Sequence, residues 1–121
     1  MKFAKWVFLL SGIYGILVLI PFYFLENKIG MDQPPAITHP EYFYGFIGVG
    51  LAWQVAFLII SRDPKKYRIL MIPSMLEKFS FSGAVLVLLL GHRIDPSFVL
   101  SGSIDFTMGI LFLVSFLRLK R

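Results

Sequence analysis

The chain has 121 residues, of which 57% are hydrophobic and 16% charged, with a mean hydropathy of +0.76. Soluble domains are about 45–50% apolar and about 25% charged, so this balance points to lipid and away from a water-soluble core. The net charge of +5 does not indicate nucleic acid, because the basic residues flank apolar runs, and the lack of cysteine removes disulfides, thiolate metal sites and a cysteine nucleophile.

Lys2 and Lys5 precede a long apolar run, Trp6 to Leu25. The run exceeds a signal-peptide core of about 7–15 residues, and Phe22-Tyr23-Phe24-Leu25-Glu26 is a poor cleavage context. It predicts an uncleaved first helix over residues 5–25, with Trp6 and Tyr23 at the two interfaces and Pro21 in the last turn. Glu26 to Pro40 holds Gly30, Pro34-Pro35 and Pro40 and is expected to be the one real loop.

The second predicted helix covers residues 42–61. Gly45, Gly48, Ala52 and Ala56 recur at spacings of three and four, which gives a smooth strip for close approach of another helix. Arg62-Asp63-Pro64-Lys65-Lys66-Tyr67-Arg68 is a short, basic connection. The third helix is expected over 69–91, followed by the turn Gly91-His92-Arg93-Ile94-Asp95-Pro96, and the fourth over 97–117. Each span suits a hydrocarbon layer of about 30 Å, and short connections favour antiparallel neighbours. The expected fold is therefore an all-α membrane domain, an antiparallel four-transmembrane-helix bundle spanning residues 1–121.

Charge sets the expected orientation. One side carries nine cations (Lys2, Lys5, Arg62, Lys65, Lys66, Arg68, Arg118, Lys120 and Arg121) and the other two (Lys28 and Arg93). By the positive-inside rule both termini face the cytoplasm, as expected in a bacterial inner membrane. The remaining cation, Lys78, falls inside the third span beside Glu77.

A charge at the bilayer centre costs at least about 2.5–3.5 kcal/mol on insertion scales, so Glu77 and Lys78 need an explanation. At a rise of 1.5 Å per residue, Glu77 lies roughly 13 Å from the cytoplasmic edge and Asp105 roughly 18 Å. Tyr14 and Gln54 lie at roughly 13 and 10 Å. All four spans thus place a polar side chain near one level. Ser74, Glu77, Ser80 and Ala84 share a small, polar side of the third helix that is expected to face the bundle, whereas Lys78 is turned about 100° away, beside Met71, Met75 and Val85. Ser101, Gly102, Asp105 and Gly109 form a second small stripe.

Three readings of this polar level stay open. Lys78 pairs with Asp105 or Glu77 and ties helices together. Alternatively, Lys65 to Lys78 is interfacial, Pro73 starts the true span and Lys78 snorkels. In the third, the carboxyls form a proton or cation site, or anchor a lipophilic ligand. Trp53, His39 and His92 are further ligand-lining candidates, for a quinone or a haem. The histidine spacing matches no motif, so no cofactor or metal is assigned. No phosphate loop, nucleophile–base pair or zinc signature is present, and the sequence leans away from an enzyme.

Tyr44-Gly45 with Gly48, Gly91-His92-Arg93, and Asp105 with Gly109 resemble the small DoxX-like four-helix membrane proteins over residues 41–117. That resemblance implies a four-helix membrane fold and, for some members, a link to quinone redox chemistry; it carries no catalytic residue onto this chain. Length and helix count also look like the small multidrug transporters, but those depend on a glutamate in the first helix, and none stands between Met1 and Leu25. The functions expected are an accessory subunit of a membrane complex or a binder of a lipophilic molecule. The alternatives are a proton-coupled transporter or channel using Glu77 and Asp105, and a redox partner. Expected partners are the lipid bilayer and a membrane protein or further copies of the chain, not nucleic acid.

Overall fold

Apolar runs bounded by prolines, glycines and basic turns fold here into helices in the expected order. The structure is a computed structural model and describes residues 2–119. The helices are α1 (Lys2–Phe22), α2 (Glu26–Asp32), α3 (Pro40–Arg62), α4 (Met71–Leu90) and α5 (Phe98–Arg118), with a 3-10 turn at Arg68–Leu70 leading into α4. Four segments, Lys2–Phe22, Pro40–Arg62, Arg68–Leu90 and Phe98–Arg118, are long and apolar enough to cross a membrane. Among the described residues there is no β-strand.

The boundaries follow from local chemistry. α3 opens on Pro40, whose fixed φ suits a first helical position and whose missing N–H is not needed there. Pro73 sits in the first turn of α4 for the same reason. At the far end of α4, His92 adopts φ 55° and its N–H donates to the carbonyl of Leu89 at 3.1 Å, closing the helix. The Asp95 carboxylate then accepts the Ser97 backbone N–H at 2.8 Å, which holds this carboxyl below the usual aspartate range. Because the folded value is the lower one, this contribution is present at neutral pH and is lost as acid protonates the folded group.

The expected loop between the first two spans is not wholly irregular. Residues 26–32 form α2, in which Lys28 and Asp32 pair at 2.9 Å one turn apart. Tyr44 donates its hydroxyl proton to Glu26 Oε1 at 2.8 Å, and Tyr23 stacks on Tyr44 with centroids 6.0 Å apart. The Pro34-Pro35 pair lies beyond the helix that the sequence reading missed.

α1 packs along α3, and α4 along α5; α1 and α5 join the two pairs, while α3 and α4 touch much less than either pair. The core gathers Ala4 and Phe8 from the start of α1, Phe57 and Ile60 from the end of α3, Met71 from the start of α4, and Phe112 with Leu119 at the end of α5. Phe8 stacks on Phe112 at 4.1 Å between centroids, and Phe57 meets both rings edge-on at 6.0 and 4.9 Å. Arg68 locks the same region: its Nε donates to the Phe116 carbonyl at 3.0 Å and its guanidinium lies 3.7 Å from the Phe116 ring centroid. This satisfies a carbonyl near the end of α5 and places a cation at the negative end of that helix.

Two expected helix faces are turned. The Gly45, Gly48, Ala52 strip points outward, and Gly45 has nothing near it. α1 instead docks on the face carrying Ile47, Gly50, Gln54, Phe57 and Ile60, which buries larger apolar side chains than the small strip offers. On α4, Ser80 and Ala84 are exposed, and the buried row is Met71, Ser74, Lys78 and Val85. That row has spacings of three, four and seven, one face of a helix. Burying Met71 and Val85 carries Lys78 inward with them. The stripe on α5 lies where expected, with Gly102 against Val85 and Gly109 against the Phe79 ring.

Buried hydroxyls need no partner from another helix. Ser74 donates to Leu70 O at 2.7 Å and Ser115 to Leu111 O at 2.9 Å, each within its own helix. Phe8→Ala is expected to cost about 3–5 kcal/mol in detergent unfolding titrations, whereas Ser115→Ala should cost under about 1 kcal/mol. A Phe8→Ala loss as small as that of Ser115→Ala would show that the stacked rings do not hold the bundle.

Candidate polar cavity

Lys78 is the only cation among the described residues that lies in the buried face of a long helix. Its side chain is 5% exposed, and Nζ stands 3.6 Å from Glu77 Oε1 on the same helix and 3.6 Å from Asp105 Oδ1 on α5. Both separations make ion pairs; neither is short enough for a direct N–H···O hydrogen bond. The Phe57 ring completes the surroundings, its centroid 5.2 Å from Nζ. Lys78 is therefore packed inside the bundle and does not extend to its surface. The two carboxylates are less enclosed, at 24% for Glu77 and 18% for Asp105.

These groups border a cavity of about 220 Å³ between the long helices. Tyr14 and Gln54 line it as well, so all five polar residues picked out by depth in the sequence meet at one place. Its apolar wall includes Leu19 and Phe22 from α1, Phe46 from α3, Phe81 from α4 and Phe98 from α5. The phenylalanines were not legible as liners, because lipid-facing and cavity-facing phenylalanines look alike in sequence. The one available signal was register: Phe81 is one turn beyond Lys78, and Ser101, also lining the cavity, is one turn before Asp105.

Gln54 shows how tightly the cavity wall is built. It is 2% exposed, and its Nε2 donates to the Gly50 carbonyl at 2.9 Å. This leaves Oε1 against Gly15, where any Cβ would collide with the amide. Oε1 has no hydrogen-bond donor, and the same holds for the buried Glu77 Oε1. Two buried acceptors at the cavity, Gln54 Oε1 and Glu77 Oε1, are thus left without a donor, and the lysine is shared by two carboxylates.

The other candidates lie elsewhere. Trp53 packs beside Phe57, with centroids 6.4 Å apart, and lines an outer groove between α3 and α4. His39 is exposed, stacked on Tyr42 at 4.9 Å, with Nδ1 3.5 Å from Glu41 Oε2. His92 is exposed in the turn after α4. Neither histidine lines the cavity. Among the described residues no three His, Cys, Asp or Glu side chains come together as a metal site would require.

Removing Lys78 would leave two carboxylates facing each other without their cation. Lys78→Met is therefore expected to destabilise the protein by about 3–5 kcal/mol. Adding Asp105→Asn or Glu77→Gln should return part of that loss, and the triple change most of it, in the same unfolding titrations. Strictly additive losses would show that the three groups are not coupled.

No protein-family model, curated protein or solved structure matches the chain.

Proposed function

We propose that the chain is an integral membrane protein that holds a small lipophilic molecule in the cavity between its four long helices. The observation that carries this reading is the composition of the cavity: an aromatic and aliphatic wall that also carries the clustered Glu77, Lys78 and Asp105. Ligand sites generally combine these two features, the apolar wall for affinity and the polar groups for orientation. The volume of about 220 Å³ is below the roughly 300–1,000 Å³ of drug-sized sites, which favours a small or slender molecule. In this reading the helices run antiparallel through a bacterial inner membrane. Both termini are cytoplasmic, on the side with nine of the flanking cations. Exposed Leu17, Leu76, Val87 and Leu100 then face acyl chains; in water such surfaces would invite association.

A second reading, an accessory subunit of a larger membrane complex, is favoured by one separate observation. A methyl group added at Gly45 on α3 or Gly83 on α4 would meet no atom of another element within 4 Å, so both helices keep a face that a further helix could approach closely.

Filling the cavity tests the first reading. Protein purified gently from membranes and extracted with organic solvent is expected to yield a lipophilic molecule near one equivalent by mass spectrometry. Ser101→Trp, which places a large side chain in the cavity, should lower the yield at least about tenfold while leaving the helical content unchanged. Equal yields from the wild type and the variant would refute the cavity as the binding place. Reporter domains fused to the C-terminus should be active only on the cytoplasmic side.

A further inference from the structure

The cavity lacks something specific. With Glu77, Lys78 and Asp105 all ionised, the cluster carries one negative charge in excess, inside a helix bundle where charge is poorly solvated. Lys78 cannot satisfy both carboxylates, since its Nζ stands 3.6 Å from each. Independently, Gln54 lines the cavity at 2% exposure, and its Oε1, packed over Gly15, has no donor. Glu77 Oε1 also lacks one. The two unpaired buried acceptors, Gln54 Oε1 and Glu77 Oε1, both call for an N–H or O–H donor, and the excess charge calls for a cation. Four phenylalanines in the wall add ring faces that attract a cation.

Access is also visible. A groove of about 750 Å³ opens between α3 and α4, two helices that touch little. Phe46, Glu77 and Phe81 line both this groove and the inner cavity. Phe46 and Phe81 face each other across the gap with centroids 6.5 Å apart, an aromatic pair between the outer groove and the charged end. Glu77 sits on both sides of that pair, so a cation entering from the side would meet a carboxylate before reaching Asp105.

From this geometry we infer that the cavity takes the protonated amine of a membrane-partitioning amphiphile. The ammonium donates to Glu77 and Gln54 beside Asp105, the apolar body lies among the phenylalanines, and entry is lateral, between α3 and α4. The inference rests on the proposed lipophile-binding function and narrows its ligand class. Binding neutralises the cluster without any covalent step. Glu77→Gln and Asp105→Asn should each remove the excess charge and hence the preference for a cation.

The experiment compares octylammonium with 1-octanol, of equal chain length, by calorimetric titration of the protein in phosphatidylcholine nanodiscs with empty nanodiscs subtracted. The expected result is at least about tenfold tighter binding of octylammonium, falling to within about twofold of the alcohol in Glu77→Gln and Asp105→Asn. Equal binding of amine and alcohol by the wild type would overturn the ammonium inference and leave the lipophile reading standing; it is also the result expected if a proton already neutralises the cluster. Saturable binding of neither would overturn both. An amine preference undiminished in either folded variant would place the amine elsewhere and overturn the assignment. The wild-type comparison decides the charge question even if a variant fails to fold.

Discussion

A lysine carried into the interior of an apolar helix bundle must find an anion, and in this protein that requirement fixes how α4 meets α5. Lys78 extends from a row with Met71, Ser74 and Val85, so the rotation that buries the apolar members also buries the charge. Glu77 is beside it in sequence and cannot by itself bring a second helix near. Asp105 does so from α5. The Gly102 and Gly109 positions sit on either side of Asp105 and let the helices approach, with Val85 and the Phe79 ring taking the space that larger side chains would occupy. Electrostatics and close packing thus select the same register.

The rest of the bundle is held differently. α1 and α3 share no ion pair among the described residues; they meet through Gly12, Gly15 and Gly50 and through the edge-on rings of Phe8 and Phe57, with Phe112 of α5 stacked on Phe8. Arg68 binds the start of α4 to the end of α5 at the same level as these rings. The two helix pairs are consequently well joined where Phe8, Met71 and Phe112 meet, and less so along α3 and α4. The cavity and the outer groove both lie along that weaker seam, with Glu77 and two phenylalanines between them.

Much of this was readable from the residues, for a physical reason. Long apolar runs separated by Pro, Gly and basic clusters leave few alternatives to four long helices, and depth depends only on the constant rise per residue. That is why Tyr14, Gln54, Glu77 and Asp105 fall at one level in the sequence, with Lys78 beside Glu77. Facing was less secure. Lipid and a protein interior are both apolar, so the pattern of hydrophobic residues does not identify the buried side as it does in water. Polarity suggested that Ser80 and Ala84 turn inward with Glu77; packing turned Met71, Lys78 and Val85 inward instead. The same ambiguity misplaced the Gly45 strip and hid the cavity-facing phenylalanines. α2 was missed because seven residues between proline-rich and aromatic segments show too little periodicity to read.

The stoichiometry of the charged cluster bears on whether it is only a fastening. One lysine and one carboxylate would tie α4 to α5 and leave the interior neutral. The second carboxylate adds desolvation without adding a helix to the fastening, since Glu77 is on the same helix as Lys78. It also draws Nζ to a compromise 3.6 Å from both acids, longer than the charge-assisted hydrogen bonds that a single pair can reach. A buried amide oxygen without a donor stands at the same cavity. Each of these features weakens a purely structural clasp, and all of them are relieved by one positively charged donor. The second carboxylate is thus the feature that the proposed ammonium site uses and that a fastening of α4 to α5 does not require.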